Sequence, residues 1–326
     1  APAITLMIMA PLLTEVLPGA TRFSSIFVLP IEMLVWGGGA LLIRYAVRRW
    51  NLGWQGMLFL AIALAMAEEF IIQQTSVAPM VIRLKGTTYA RAFSINYVYL
   101  LWALIYESVF VVFLPVYLVE LVFPERKERL WINKPGFFVL IPLFLIGSLL
   151  AWFSWTRIAR HKVFKLPVYN PPMLITILAF VIIIGLAYGA LRKKNNMSAA
   201  RSFKPWSALA IAITGFIWAV VLYALVLLGF GINPSFPPAA AVALGALLIV
   251  VALYLVPRWT RYSEWNTNNT YALIFGTVLG SMVISFVGFI GTTGADLNFK
   301  IITNIAAVIL LILLGYSLKK QKPLGI

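Results

Sequence analysis

The sequence predicts an all-α fold, a polytopic transmembrane helix bundle of about ten spans. Three observations carry that expectation. Of 326 residues, 62% are hydrophobic and only 11% charged, where a soluble domain has roughly half and a quarter. The apolar residues come in runs of about 18–25, which is helix length for a hydrocarbon layer about 30 Å thick, and they lack the strict alternation of barrel strands. The Lys and Arg residues crowd the short connectors between those runs. Lipid offers no partner for a bare peptide group, so a spanning segment of this kind must satisfy its own backbone as a helix.

The first run extends from Ala3 to Leu17 and ends at Pro18-Gly19. The second, Ile26 to Val47, passes Glu32 and the triplet Gly37-Gly38-Gly39 and closes on Arg48-Arg49-Trp50. The third, Trp54 to Gln74, carries the pair Glu68-Glu69. Thr75 to Ser94 is the longest connector, and Ile95 to Phe123 follows with Glu107 and Pro115 inside it. After the charged stretch Pro124 to Arg129 come six cleaner runs: Phe137–Trp155, Met173–Leu191, Trp206–Phe230, Pro237–Leu255, Tyr271–Ile290 and Ile301–Leu318. None of these six holds an acid or a base in its interior. Trp50, Trp54, Trp131, Trp155, Trp206 and Trp259 fall near run ends, where interfacial anchors belong. Gly276 and Gly280 have the spacing that allows two helices to approach closely. The five-residue match of Gly39–Ile43 to Gly245–Ile249 does not fit a five-plus-five inverted repeat. The chain reads as one integral membrane domain, 1–326, with acid-bearing spans in 1–123 and apolar spans in 137–318.

The chain opens at Ala1 rather than methionine, which leaves room for residues ahead of it. Its first run has no basic flank and contains Glu15, unlike a signal peptide. The net charge of +16 belongs to topology and lipid headgroups rather than to nucleic acid. One set of alternate connectors holds Arg44, Arg48, Arg49, Arg126, Lys127, Arg129, Lys134, Arg192, Lys193, Lys194, Arg201, Lys204, Arg258, Arg261, Lys319, Lys320 and Lys322. The other holds fewer, among them Arg22, Arg83, Lys85, Arg91, Arg157 and Lys300. The positive-inside rule places the richer set, and with it both termini, in the cytoplasm of what reads as a bacterial cytoplasmic membrane. With no cysteine and a single histidine, His161, the chain excludes disulfides, thiolate chemistry and any multi-histidine metal site.

The acids carry the functional signal. Five of the ten lie well inside runs: Glu15, Glu32, Glu68, Glu69 and Glu107. A charge near the bilayer centre costs at least about 2.5–3.5 kcal/mol, so such residues face protein or water and usually work. Helix rise puts Glu15, Glu32, Glu69 and Glu107 at a common height, about 18–22 Å from one boundary. We therefore expect one polar pocket shared by the first four spans, with Gln73, Tyr106 and Ser108 among its walls. Prolines 11, 18, 30 and 115 free carbonyls nearby. Clustered carboxyls cannot all be charged in a low dielectric, so protons, a cation or a basic substrate must balance them. Any metal would be a hard divalent ion such as Mg²⁺, Ca²⁺ or Mn²⁺. Glu120, at the end of its span, is expected to pair with loop arginines. Arg44 is expected to snorkel to the cytoplasmic face.

The stretch from Pro30 to Pro124 resembles a group of uncharacterised bacterial multi-pass membrane proteins. The carrying residues are Gly38 to Arg44, Glu68-Glu69, Pro115, Glu120 to Pro124 and Trp131. More distantly, Glu68-Glu69 resembles the first motif, Glu-Glu-x-x-x-Arg, of the CAAX-protease and bacteriocin-processing intramembrane protease family. Gln73 stands near the place of that arginine, Glu107 stands where a histidine is expected, and the later histidine motif has no counterpart. Three functions follow from the residues and the resemblance. One is a transporter or permease-like protein whose glutamates bind or couple a cation, proton or basic substrate. Another is a non-catalytic membrane subunit packed against membrane protein partners. The last is a divergent intramembrane protease in which Glu68 and Glu69 activate water.

Overall fold

The computed structural model describes residues 1–79, 89–194, 203–232 and 235–320. Arg83, Lys85, Arg201 and Lys322 of the charge count lie outside them. Among the described residues, nine helices are long and apolar enough to cross a membrane. We number the helices in chain order, beginning with the shorter apolar helix α1 (Pro2–Val16). The nine long ones are α2 (Phe23–Arg49), α3 (Trp54–Ile72), α4 (Tyr97–Val122), α5 (Lys134–Val163), α6 (Met173–Leu191), α7 (Ala208–Val226), α8 (Pro238–Thr260), α9 (Thr267–Phe289) and α10 (Ala295–Lys320). The strands are β1 (Arg91–Ala92) and β2 (Ile95–Asn96), a two-stranded antiparallel ribbon just before α4. The protein is thus a multi-pass, all-α integral membrane protein whose solvent is the lipid bilayer.

Side-chain caps start several helices. The Asn96 side chain accepts from Tyr99 N–H at the head of α4, and Asn133 does the same for Gly136 in α5. Asn266 accepts from Asn268 and Asn269 N–H at the head of α9. A buried helix end without such partners would leave donors unpaired in lipid. The Asn-rich stretch 266–269 is accordingly a helix cap.

Helices α1 and α4 divide the interior. Leu6 and Ala10 of α1, with Val111, Val112, Val116 and Val119 of α4, pack with Val35, Ala40, Met57, Ala61 and Leu140 from α2, α3 and α5. Their other faces, Leu13 with Phe110, Leu114 and Leu118, pack with Leu222, Ala241, Val278 and Leu311 from α7 to α10. Helix α6 lies against α3 through Ala179, Met66 and Phe70. The apolar helices α5 and α6 therefore sit with the acid-bearing helices, while α7 to α10 form the other flank. Lipid-facing residues such as Leu174, Val181, Ile184, Ile302, Leu310 and Leu313 stay exposed. Exposed apolar faces of this extent are what a bilayer covers.

Gly37 permits the closest approach to α1. A Cβ there would lie 2.3 Å from the Met7 carbonyl oxygen. Gly276 does the same between α9 and α7, with a virtual Cβ 1.9 Å from the Ala212 carbonyl oxygen, and Gly280 repeats it 2.5 Å from that of Phe216.

Several sequence expectations need correction. Helix α10 begins at Ala295, six residues ahead of the expected Ile301, so Lys300 sits inside it and is 1% exposed. Helix α5 runs on to Val163, which places Arg157, Arg160 and His161 on a helix rather than in a loop. Trp259 is no interfacial anchor. It is fully buried, edge-on to Trp206 and stacked with Trp265. Arg44 does not snorkel. It is 2% exposed and held by protein. Arg44 and Lys300 found partners on a distant part of the chain, which hydropathy along the sequence does not register.

Candidate functional site

The five intramembrane acids arrive from four helices whose hydrogen bonding changes where they sit. In α1 the turn Leu12–Val16, which contains Glu15, is π-helical, with Leu17 N–H donating to the Leu12 carbonyl at 2.9 Å. In α2 a π-helical turn, Met33–Gly37, follows directly on Glu32. In α3 the π-helical stretch Glu68–Ile72 begins at the acid pair, with Gln73 N–H on the Glu68 carbonyl at 2.8 Å. In α4 a further one, Glu107–Phe113, begins at Glu107. A π turn widens the helix by one residue per turn, loosens its packing and tends to mark a working site. Its recurrence beside every acid means that the backbone at this level is irregular on all four helices. Irregular backbone at membrane depth persists only where protein or a cavity shelters it.

The side chains meet. Glu15 is within electrostatic reach of Glu32 and Glu68. Glu107 is within reach of Glu69, Glu68 and Glu15, and the Glu69 and Glu107 carboxyls lie at hydrogen-bonding distance from one another. Glu32, Glu68 and Glu69 are 5%, 1% and 2% exposed. Their hydrogen bonds differ in a way that matters. Glu32 accepts from the Thr21 hydroxyl. Glu69 accepts from the hydroxyls of Thr75 (2.6 Å) and Ser76 (2.5 Å) through one oxygen. Glu68 has no hydrogen-bond partner on either carboxyl oxygen. Glu15 is half-buried.

The cap over Glu69 follows from the local sequence. Helix α3 stops at Gln73, Gln74 turns into the left-handed region at φ +61°, and the chain folds back to present Thr75 and Ser76. Asn96 N–H donates to the Ser76 carbonyl at 2.8 Å. The Arg91 guanidinium donates to the carbonyls of Val77, Ala78 (3.0 Å) and Ser94 (2.8 Å). The ribbon β1–β2 thus fixes the cap.

Of the remaining expected wall residues, Tyr106 is fully in place. Its hydroxyl donates to the Thr14 carbonyl, one residue before Glu15. Ser108 is buried beside Glu107, with its hydroxyl unpaired. Gln73 is half-buried at the helix end, and among the described residues its side chain has no hydrogen bond to a carboxylate. Thr21, Thr75, Ser76, Tyr99 and Tyr223 are additions that the sequence reading did not name. Tyr99 has an audible signal in hindsight, since residues 99, 102, 106 and 110 repeat one aromatic stripe of α4. Among the described residues, no group of three or more His, Asp or Glu side chains converges on a common metal position. The site is a neighbourhood of carboxyls rather than a coordination shell.

Two charged clusters frame this neighbourhood. On one flank Lys300 Nζ donates to the Leu17 carbonyl (2.7 Å) and the Ser285 hydroxyl (2.8 Å) and stands over the Phe286 ring, 4.5 Å from its centroid. With its amide oriented nitrogen toward that carbonyl, Asn304 donates to Leu17 at 3.0 Å and presents its oxygen to Lys300 at 3.1 Å. The carbonyl is available because Thr21 N–H bonds that of Glu15 instead. At the far end of the bundle, Glu120 accepts from Arg44 (3.2 Å) and Arg48 (3.0 Å). Arg44 also donates to the carbonyls of Lys127 (2.6 Å) and Arg129 (3.1 Å), and its guanidinium lies 3.5 Å from the centre of the Trp131 ring. Glu120 thus pairs with arginines of the neighbouring helix.

Comparison with known protein families, with curated proteins and with solved structures found nothing that matches this chain.

Proposed function

We propose that the protein is a transporter or permease-like membrane protein in which Glu15, Glu32, Glu68, Glu69 and Glu107 take up and release protons or a cation during transport. The observation that carries this reading is the meeting of Glu69 and Glu107, from adjacent helices, with Glu15 and Glu68 in reach. Two carboxyls at hydrogen-bonding distance share a proton or hold a cation, because both cannot be charged there unbalanced. An assembly built only for packing would use one paired polar residue per helix contact, as at Arg44 and Glu120. Here Glu68 is left with unpaired oxygens, which favours an exchanging site over a structural one.

The π-helical turns support the same reading, since they supply backbone that can change its hydrogen bonding without breaking the helix. The hydroxyls of Thr75 and Ser76 hold Glu69 from one membrane face, and the Arg44–Glu120 cluster closes the other end. The acids are therefore enclosed from both sides. On the charge distribution we assign the Arg44 end and both termini to the cytoplasm of a bacterial membrane.

The test is proton movement into vesicles reconstituted with the purified protein, driven by an imposed membrane potential and read by an internal pH dye. Wild-type vesicles should acidify faster than empty ones. Glu69→Gln and Glu107→Gln should each lower the rate about tenfold, the effect of losing roughly 1.4 kcal/mol. Undiminished rates in both variants would remove these acids from any mechanism.

A further inference from the structure

We infer that the carboxyl neighbourhood takes a lipophilic organic cation, an amine or quaternary ammonium with an apolar body, seated against the aromatic stripe of α4. The inference rests on the transport reading above and names its substrate class. The stripe is continuous: Tyr99 is tilted against Trp102 (5.4 Å between centroids), Trp102 stacks on Tyr106 (4.6 Å), and Tyr106 stacks on Phe110 (4.9 Å). Tyr223 of α7 meets Trp102, Tyr106 and Phe110 edge-on, at 6.2, 5.6 and 6.2 Å. This wall adjoins the acids. Tyr99 is in electrostatic reach of Glu69, Glu107 and Glu15, and its hydroxyl meets Thr75. Tyr106 and Tyr223 are both in reach of Glu15.

Three features of the neighbourhood select this class of cation over others. First, a compact metal ion needs several oxygens at one point, and no group of three or more acids among the described residues provides that. Second, Glu68 is 1% exposed and neither carboxyl oxygen has a partner. A buried carboxyl without a partner, beside Glu69 and Glu107, leaves a charge for a ligand to meet. Third, aromatic faces attract a cation whose charge is diffuse and poorly hydrated, and each such contact contributes about 0.5–2 kcal/mol. A bulky ammonium satisfies all three, with its charge near Glu15 and Glu68 and its apolar body on the rings. Its entry displaces a proton from the carboxyls, so the net charge of the site stays constant.

The experiment is equilibrium dialysis of radiolabelled tetraphenylphosphonium against the full-length protein in lipid nanodiscs, with empty nanodiscs as the blank. Saturable binding above the blank is expected, with a proton released per cation bound. Trp102→Leu should raise Kd about tenfold, as the loss of one desolvated cation–π contact implies, and Trp102→Phe should recover most of that loss. Millimolar K⁺ or Mg²⁺ should not displace the probe. Three results would overturn the inference: no saturable binding, wild-type affinity in Trp102→Leu, or displacement by K⁺ or Mg²⁺. If glutamate-dependent proton flux persists while the probe fails to bind, only the substrate class falls. If flux and binding are both absent, the transport reading falls with it.

Discussion

Arg44 makes contacts that a cation at a helix end seldom does. It donates to a buried carboxylate and two loop carbonyls while its guanidinium stands over the Trp131 ring. Removing one partner of a buried pair strands the other, at a cost of about 3–5 kcal/mol. Arg44→Ala should therefore lower the thermal unfolding midpoint in detergent sharply, and a variant as stable as wild type would show that Glu120 finds another partner. Lys300 is the companion case at the other end. Both residues were legible in the sequence as positive charges and neither as a buried one. Their partners lie 76 and 283 residues away, and hydropathy has no means of registering them. The acids were easier. A carboxylate within an apolar run is conspicuous by itself, and helix rise alone brought four of them to one height. The hydroxyls and rings that complete the site were harder to find, because Thr75 and Ser76 read as part of a connector and Tyr99 as one more aromatic residue of an apolar run.

At the scale of elements, nine of the ten apolar runs became helices of membrane-spanning length among the described residues, and the first, Pro2–Val16, is shorter. Their boundaries moved where the apolar count stops before the helix does, as at Ala295 and Val163. The π-helical turns could not be foreseen, since nothing in the run of apolar residues distinguishes them from ordinary helix. The contact between α7 and α9 gives a direct test of close approach. A methyl at Gly276 would meet the Ala212 backbone, which cannot swing aside as a side chain can. Gly276→Ala should destabilise by about 1–3 kcal/mol, in the range of overpacked cores. Gly185→Ala on α6 meets nothing within 4 Å and should be neutral or slightly stabilising. Equal unfolding midpoints for the two variants would contradict the proposed fit.

Across the whole molecule, contacts between connectors fix which loops share a face. Lys194 Nζ donates to the Trp50 carbonyl, and Gly53 N–H to that of Lys193. Arg48 pairs with Glu128, which adds a third connector to the same side. Ser24 donates to the Asp296 carboxylate on the opposite side. The chain has no cysteine, so single introduced thiols report cleanly. Glu128→Cys and Lys193→Cys should be labelled by a membrane-impermeant maleimide from one face, and Ser24→Cys from the other. In cells, the first pair should react only after the membrane is opened if the assignment of that face to the cytoplasm holds. Labelling of all three from one side would break the order of crossings described above.

The tie from Lys300 to the Leu17 carbonyl has a bearing on biogenesis. The helix that carries Glu15 is made before α2 to α10, yet the ammonium that secures its end is made nearly three hundred residues later. The Leu17 carbonyl must therefore wait for its cation until α10 has been delivered. Nascent chains halted before residue 300 should be degraded faster than those halted after α10 has emerged.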